Sequence, residues 1–324
     1  MTTPSINKKS LLEFIKKNKP LVVLLILVVV MSIMNDRFLT PGNLLTILRQ
    51  SSVNAVIATG MTFAILIGGI DLSVGSVMAI CGAIAATMIN SGIDVWLTVL
   101  AVLVLGLGIG AANGILISKG RLQPFIATLG TMTLIRGITL VYTQGKPIST
   151  TGAEPEITKA FAFIGKGYIL GIPVPIYIMI FVFVAAYYVL MHTRTGRYVY
   201  SLGSNEEATI YSGIKVDRIK VFVYGASGTL AALAGIIMTA RLGSAQATTG
   251  EGYELDAIAA VVLGGTSMAG GVGTIFGTAV GALIIGILSS ALNLLRVPSY
   301  YQNVAKGVVI LIAVLLDRQQ KASR

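Results

Sequence analysis

Histidine and cysteine occur once each in this 324-residue chain, as His192 and Cys81. A structural zinc site draws on several Cys and His ligands, so that chemistry is excluded. An intrachain disulfide lacks its second thiol, and Cys81, within the apolar run VMAICGAIAATMI, reads as a small buried residue. Charge is scarce as well. Only 11% of residues are Asp, Glu, Lys or Arg, less than half of the roughly 25% typical of soluble domains. No G-x-x-x-x-G-K-[ST] phosphate loop occurs, because Gly145-Lys146 and Gly165-Lys166 both lack a glycine five residues before the Gly. A G-x-S-x-G nucleophile and a His-rich metal cluster are missing too. The chain therefore reads as no enzyme, with no cofactor, and any ATP that drives it must be hydrolysed on another protein.

What fills the sequence is apolar surface. Hydrophobic residues make up 55% of the chain, and the mean hydropathy is +0.85. A hydrocarbon core about 30 Å thick needs about 20 apolar residues per helix. The apolar runs predict about ten spans, at 20–35, 52–69, 72–90, 95–118, 124–142, 175–192, 220–240, 254–264, 274–293 and 304–317. The expected fold is an all-α polytopic membrane protein, forming one transmembrane domain over 1–324. The first, eighth and tenth runs are short, and the eighth, ELDAIAAVVLG, predicts a broken or buried span. Basic residues precede the first run, as in a signal peptide, but Asn35, Asp36 and Arg37 follow it in place of a cleavage site.

The net charge of +11 is best explained by orientation. With the N-terminus inside, ten spans place residues 1–19, 119–121, 193–219 and 317–324 on the cytoplasmic side, along with Lys220. Those segments hold fifteen of the 24 Lys and Arg, against seven outside. This is the positive-inside bias, so nucleic acid is not an expected partner and membrane lipid is. The expected location is a bacterial cytoplasmic membrane, crossed several times, with both termini cytoplasmic.

Within the inside loop 193–219, SNEEATIYSG has the signals of a short helix of about seven residues. Ser204 and Glu207 make an S-x-x-E capping box, Glu206 and Glu207 suit the positive end of the helix dipole, and Gly213 suits a left-handed C-terminal stop. A helix so short does not persist alone in water and needs a partner surface. The outside loop 143–174 is modestly charged and contains several Gly and Pro residues. GGIDLSVGS (68–76) and GGTSMAGGV (264–272) echo one another, each following an apolar run.

Ionisable residues within spans mark ion and substrate pathways by default. Here they are Asp71, Arg136, Glu254, Asp256 and Lys306. Asp71 reads either as a cap of the third span or, together with Ser73, as a path residue. Glu254 and Asp256 suit a helix start, and Lys306 can snorkel to an interface. Arg136 can reach the outer interface. Asn54, Asn113 and Asn293 either line a hydrophilic path or bond to neighbouring helices. Gly273, Gly277 and Gly281, four residues apart, form a groove for a second helix, and Gly106, Gly108, Gly110 and Gly114 do likewise.

Four stretches carry a family likeness: SVNAVIATGMTFAILIGGIDLSVGS (52–76), FIATLGTMTLIRG (125–137), GSNEEATIYSGI (203–214) and GYELDAIAAVVLGGTSMAGGVGTIFGT (252–278). Together with their spacing they resemble the monosaccharide permeases of bacterial ATP-binding-cassette importers, which are related to branched-chain amino acid permeases. The resemblance covers nearly the whole chain and favours ribose as cargo. It implies a homodimer of ten-span subunits, a cytoplasmic ATPase and an extracytoplasmic sugar-binding protein. It also implies that the loop at 203–214 is the coupling helix seated on the ATPase, through Gly203, Asn205, Glu206, Glu207, Ala208 and Gly213. Ser204 departs from that pattern, where the family has glycine. An ion-coupled transporter or channel acting without an ATPase is the competing expectation; it calls for a functional carboxylate deep in the membrane.

Overall fold

A computed structural model describes residues 19–152 and 154–322. Residues 1–18 of the expected N-terminal segment and the last two residues of the tail lie outside the described residues. The helices are α1 (Lys19–Met34), α2 (Pro41–Leu66), α3 (Val74–Asn90), α4 (Val95–Ser118), α5 (Pro124–Thr143), α6 (Pro155–Lys166) and α7 (Val174–His192). They continue with α8 (Arg194–Ser204), α9 (Glu206–Tyr211), α10 (Val216–Leu242), α11 (Tyr253–Leu263), α12 (Ile275–Leu294) and α13 (Ser299–Ala322). Each predicted apolar run contains a helix. Two short antiparallel ladders complete the description: β1 (Ile148–Ser149) with β4 (Ser244–Ala245), and β2 (Tyr168–Ile169) with β3 (Ile172–Pro173).

Among the described residues, five helices are long and apolar enough to cross a membrane: α4, α5, α7, α10 and α12. The helices within α1 and α3 are apolar but shorter. α2 falls outside this group for a physical reason. From Ser51 to Leu66 every residue is buried, because α10, α11, α12 and α7 surround it. A helix enclosed by protein need not satisfy lipid, so α2 carries Ser51, Ser52, Asn54, Thr59 and Thr62 in its buried stretch. Thr59 and Thr62 bond back to the carbonyls four residues earlier, and Thr62 also meets Thr278 of α12 at 2.7 Å. α5 is the opposite case, with Phe125, Ile126, Leu129, Leu134 and Val141 all exposed, as suits a helix facing lipid or another subunit.

Small residues set the closest helix crossings, since backbones approach only where no Cβ intervenes. α10 makes its most extensive contact with α4. There a Cβ at Gly106, Gly110 or Gly114 would collide with Gly228, Tyr224 or Val221. Gly108 has open space beside it and takes no part. Along α12, a Cβ at Gly273, Gly277 or Gly281 would strike Thr266, the Gly264 carbonyl or the Ala260 carbonyl. This groove seats α11 and the turn after it.

Both large loops hold structure that the apolar pattern does not announce. The loop 143–174 contains α6 and the β2–β3 hairpin, and β1 ties it to the segment after α10. The other loop contains α8, whose Gly196, Val199 and Leu202 are buried at a helical spacing. These contacts give the molecule two ends. One carries α8, α9 and the loops 67–73 and 264–272; the other carries the β1–β4 ladder.

Candidate functional site

Three polar regions stand out among the described residues. The first is a deep cluster where α2 gives way to α3. The backbone unwinds over residues 67–73, with Gly68 at φ +76°. Asp71 is 0% exposed, so its carboxylate needs internal partners. Ser73 donates from its N–H at 3.0 Å and its hydroxyl at 2.6 Å to Oδ1, and Ser227 of α10 donates to Oδ2 at 2.7 Å. Asn113 Nδ2 donates to Ser73 Oγ at 2.9 Å, and Thr131 Oγ1 donates to Asn113 Oδ1 at 2.6 Å. Asp71, Ser73 and Asn113 thus come together, and Asp71 caps no helix end: it fastens the unwound segment to α10, with α4 and α5 joined through Asn113. Ser227 and Thr131 complete the chain of bonds. Nothing in the sequence pairs Asp71 with a serine 156 residues away.

The second region is a cavity of about 250 Å³ in the half of the bundle nearer the ladder. Asn54 and Asn293 both line it, together with Gln50, Ser51, Ser289 and Gln302. Arg241, Tyr253, Asp256 and Lys306 complete its polar wall. Lys306 does not snorkel away: its ammonium meets Asp256 Oδ2 at 2.7 Å, each side chain mostly shielded from solvent. Gln302 Nε2 bonds to Asn293 Oδ1 and to the Val297 carbonyl, both at 2.9 Å. Arg136 belongs to neither region. It donates to the carbonyls of Ala247 and Thr249, pinning the segment between α10 and α11. Glu254 accepts from the Gly252 N–H at 3.3 Å.

The third region is the end bearing α9. The expected Ser204 cap is replaced. Ser204 Oγ donates to the Tyr200 carbonyl within α8, and Asn205 Oδ1 accepts from the Ala208 N–H at 2.9 Å. Asn205 is extended, at φ −161° and ψ 107°, as an N-cap requires, whereas Ser204 completes α8. Gly213 adopts φ +78°, and Ile214 N–H reaches back to the Thr209 carbonyl, as in a left-handed stop. Thr209 is buried and bonds to Ser201, while Glu206 pairs with Lys220 at 2.6 Å. These two hold α9 down and leave Glu207, Ala208, Ile210 and Tyr211 exposed. Tyr211 is 89% exposed, an apolar signal the sequence reading passed over.

Gly203 lies apart from that exposed face. It is wedged against the Leu66 carbonyl and Gly271, and Gly271 N–H bonds to the same Leu66 oxygen at 2.9 Å. Tyr200 donates to the Gly273 carbonyl at 2.8 Å. The two echoing glycine segments therefore touch each other where Gly68 meets Gly270, and the second also meets α8 at Gly203 and Ser204, just before α9. Beside it a cleft of about 1280 Å³ is lined in part by Gly68, Gly69, Lys119, Arg121, Glu206 and Lys215.

A buried hydrogen-bonded core, a polar cavity and an exposed short helix on a firm base fit a transport subunit better than a catalyst. Residues 43–314 match the family model described as the permease component of branched-chain amino acid transport systems. The chain belongs to this family. Its relatives include the ribose import permease of Haemophilus influenzae, 57% identical over 94% of both chains. That of Escherichia coli K12 is 52% identical over 99% of this chain and 100% of its own. The D-allose permease of Escherichia coli K12 is 41% identical over 89% and 86%. No solved structure matches. The permease is thus a multi-pass all-α inner-membrane subunit of an ATP-binding-cassette importer and not an enzyme. Such an importer requires a separate ATPase and a substrate-binding protein.

Proposed function

We propose that this permease conducts ribose into the cytoplasm as a homodimer, crossing the bilayer about ten times with both termini inside. The observation that carries the cargo is the likeness of more than half of all positions, over nearly full length, to ribose import permeases. The fifteen-to-seven distribution of basic residues in the sequence supports the orientation, and the exposed apolar faces of α4 and α5 suit lipid and a second copy.

The α9 end then faces the ATPase. Glu207 and Tyr211 supply the contact, with Ala208 between them. Asn205 and Gly213 shape the helix, Glu206 anchors it through Lys220, and Gly203 passes its displacement to the junction of Leu66 and Gly271. The deep cluster of Asp71, Ser73 and Asn113 holds the unwound segment that this displacement reaches. Arg136 positions the outer segment, and Asn54 and Asn293 line the path from outside.

Reconstitution with the ATPase and the ribose-binding protein tests this reading. ATP-dependent ribose uptake is expected, absent without either partner. Tyr211→Ala with Glu207→Lys is expected to weaken ATPase retention by at least about tenfold, the equivalent of about 1.4 kcal/mol. Unchanged retention and uptake in that double variant would remove α9 from the interface.

A further inference from the structure

We propose that the cavity between α2, α10, α11, α12 and α13 is a resting site for one small neutral polyol, a pentose in size. The inference rests on the sugar-import reading above and assigns a place to the sugar within a single subunit.

Two independent observations point to a ligand. The first is the cavity itself, about 250 Å³, room for about eight waters at about 30 Å³ each and below the range of drug-sized pockets. The second is its unpaired wall. Asn54 Oδ1 and Ser51 Oγ are buried without a hydrogen-bond partner, on residues 7% and 3% exposed. Buried polar atoms are nearly always satisfied. Arg241 adds unspent donors, since among the described residues its guanidinium bonds to Met238 Sδ at 3.1 Å, a weak acceptor.

The mixture of groups selects the class of ligand. A metal cation would face Arg241 and Lys306. An inorganic anion would face Asp256 and still offer no donor to Asn54 Oδ1. A polyol escapes both conflicts, because each hydroxyl donates and accepts. It can donate to Asn54 and Asp256 while accepting from Arg241 and Lys306. Tyr253, also in the wall, adds an aromatic side chain suited to a sugar's C–H bonds. The Asp256–Lys306 pair is already neutral as a unit, so it polarises the ligand without demanding charge from it. A transport waypoint must also release its cargo, which favours a Kd of about 1–10 mM.

The test uses the full chain alone in lipid nanodiscs, without ATPase or binding protein. Ser289→Cys places a thiol in the cavity wall, against a background in which the native Cys81 is buried. D-ribose at about ten times its Kd is expected to slow labelling by a small methanethiosulfonate about tenfold. Adding Asn54→Leu is expected to abolish that protection. Gln50→Cys serves the same purpose should Ser289→Cys fail to fold. Labelling indifferent to ribose, or slowed equally by sulfate or by sodium chloride, overturns the inference. Ribose uptake by the complete importer is measured alongside. Uptake without protection refutes the cavity site and keeps the cargo, whereas failure of uptake refutes the cargo assignment.

Discussion

The deep cluster and the polar cavity are built from the same residue types, yet the Asp71 carboxylate is fully paired and the Asn54 carbonyl oxygen is not. Around Asp71 each carboxylate oxygen has a donor, and the bonds run unbroken through Ser73 and Asn113 to Thr131. Around Asn54 two buried oxygens have none. A satisfied buried network rigidifies the segments it joins. An unsatisfied one carries a standing cost that a bound molecule can relieve. The first region thus reads as structure at the point where α2 unwinds, and the second as a place prepared for something that comes and goes.

Substitution of each region should separate these two characters. The largest effect is expected for Asp71→Leu, which strands the Ser73 N–H and the hydroxyls of Ser73 and Ser227 in a dry interior. Loss of about 3 kcal/mol or more is expected, read as a lower transition point in detergent-titrated unfolding of the purified permease. Asp71→Asn should fall between, because its carbonyl oxygen can keep both Ser73 bonds while its amide nitrogen forces the Ser227 hydroxyl to turn from donor to acceptor. Wild-type stability in Asp71→Leu would erase the distinction between the regions.

Ser227→Ala is a milder probe of the same network. It removes one donor and leaves Asp71 held by Ser73 alone. Hydrogen bonds between helices in membrane proteins contribute about 0.6 kcal/mol on average, and up to about 1.7. A loss of about 1 kcal/mol is expected, above that average because the acceptor is a carboxylate. A double cycle of Ser227→Ala with Asp71→Leu should show non-additivity, since both remove the same bond.

Much of this architecture was legible in the sequence, and the gaps have physical causes. Apolar runs located every long helix, because hydropathy is a local property. The charged and glycine signals around α9 located the short helix, but they put the cap at Ser204. The choice between Ser204 and Asn205 depended on α8 extending through Ser204, and α8 is amphipathic and only 11 residues long. Asp71, Ser73 and Asn113 were singled out as polar residues in apolar runs, yet their mutual contact depends on tertiary packing. Lys306 reads as free to snorkel because its partner Asp256 lies 50 residues earlier, on another helix. The glycine echo at 68–76 and 264–272 became a physical junction, where Gly68 meets Gly270 and Gly270 and Gly271 reach Gly203. Glycine there serves close approach, which sequence can hint at but cannot assign to a partner.

The smallest expected stability change is the most informative about the cavity. Asn54→Leu replaces a buried, partly unpaired amide with an apolar side chain of similar size. In a closed network such a change would be costly. Here no donor is stranded by losing the carbonyl oxygen, and the penalty of burying it disappears. The unfolding transition is therefore expected within about 1 kcal/mol of the native protein, or slightly above it. The same substitution should impair ribose uptake by the assembled importer, so that stability and transport move in different directions. A large loss of stability would mean that Asn54 is bonded within the fold, and the contrast between the two regions would fail.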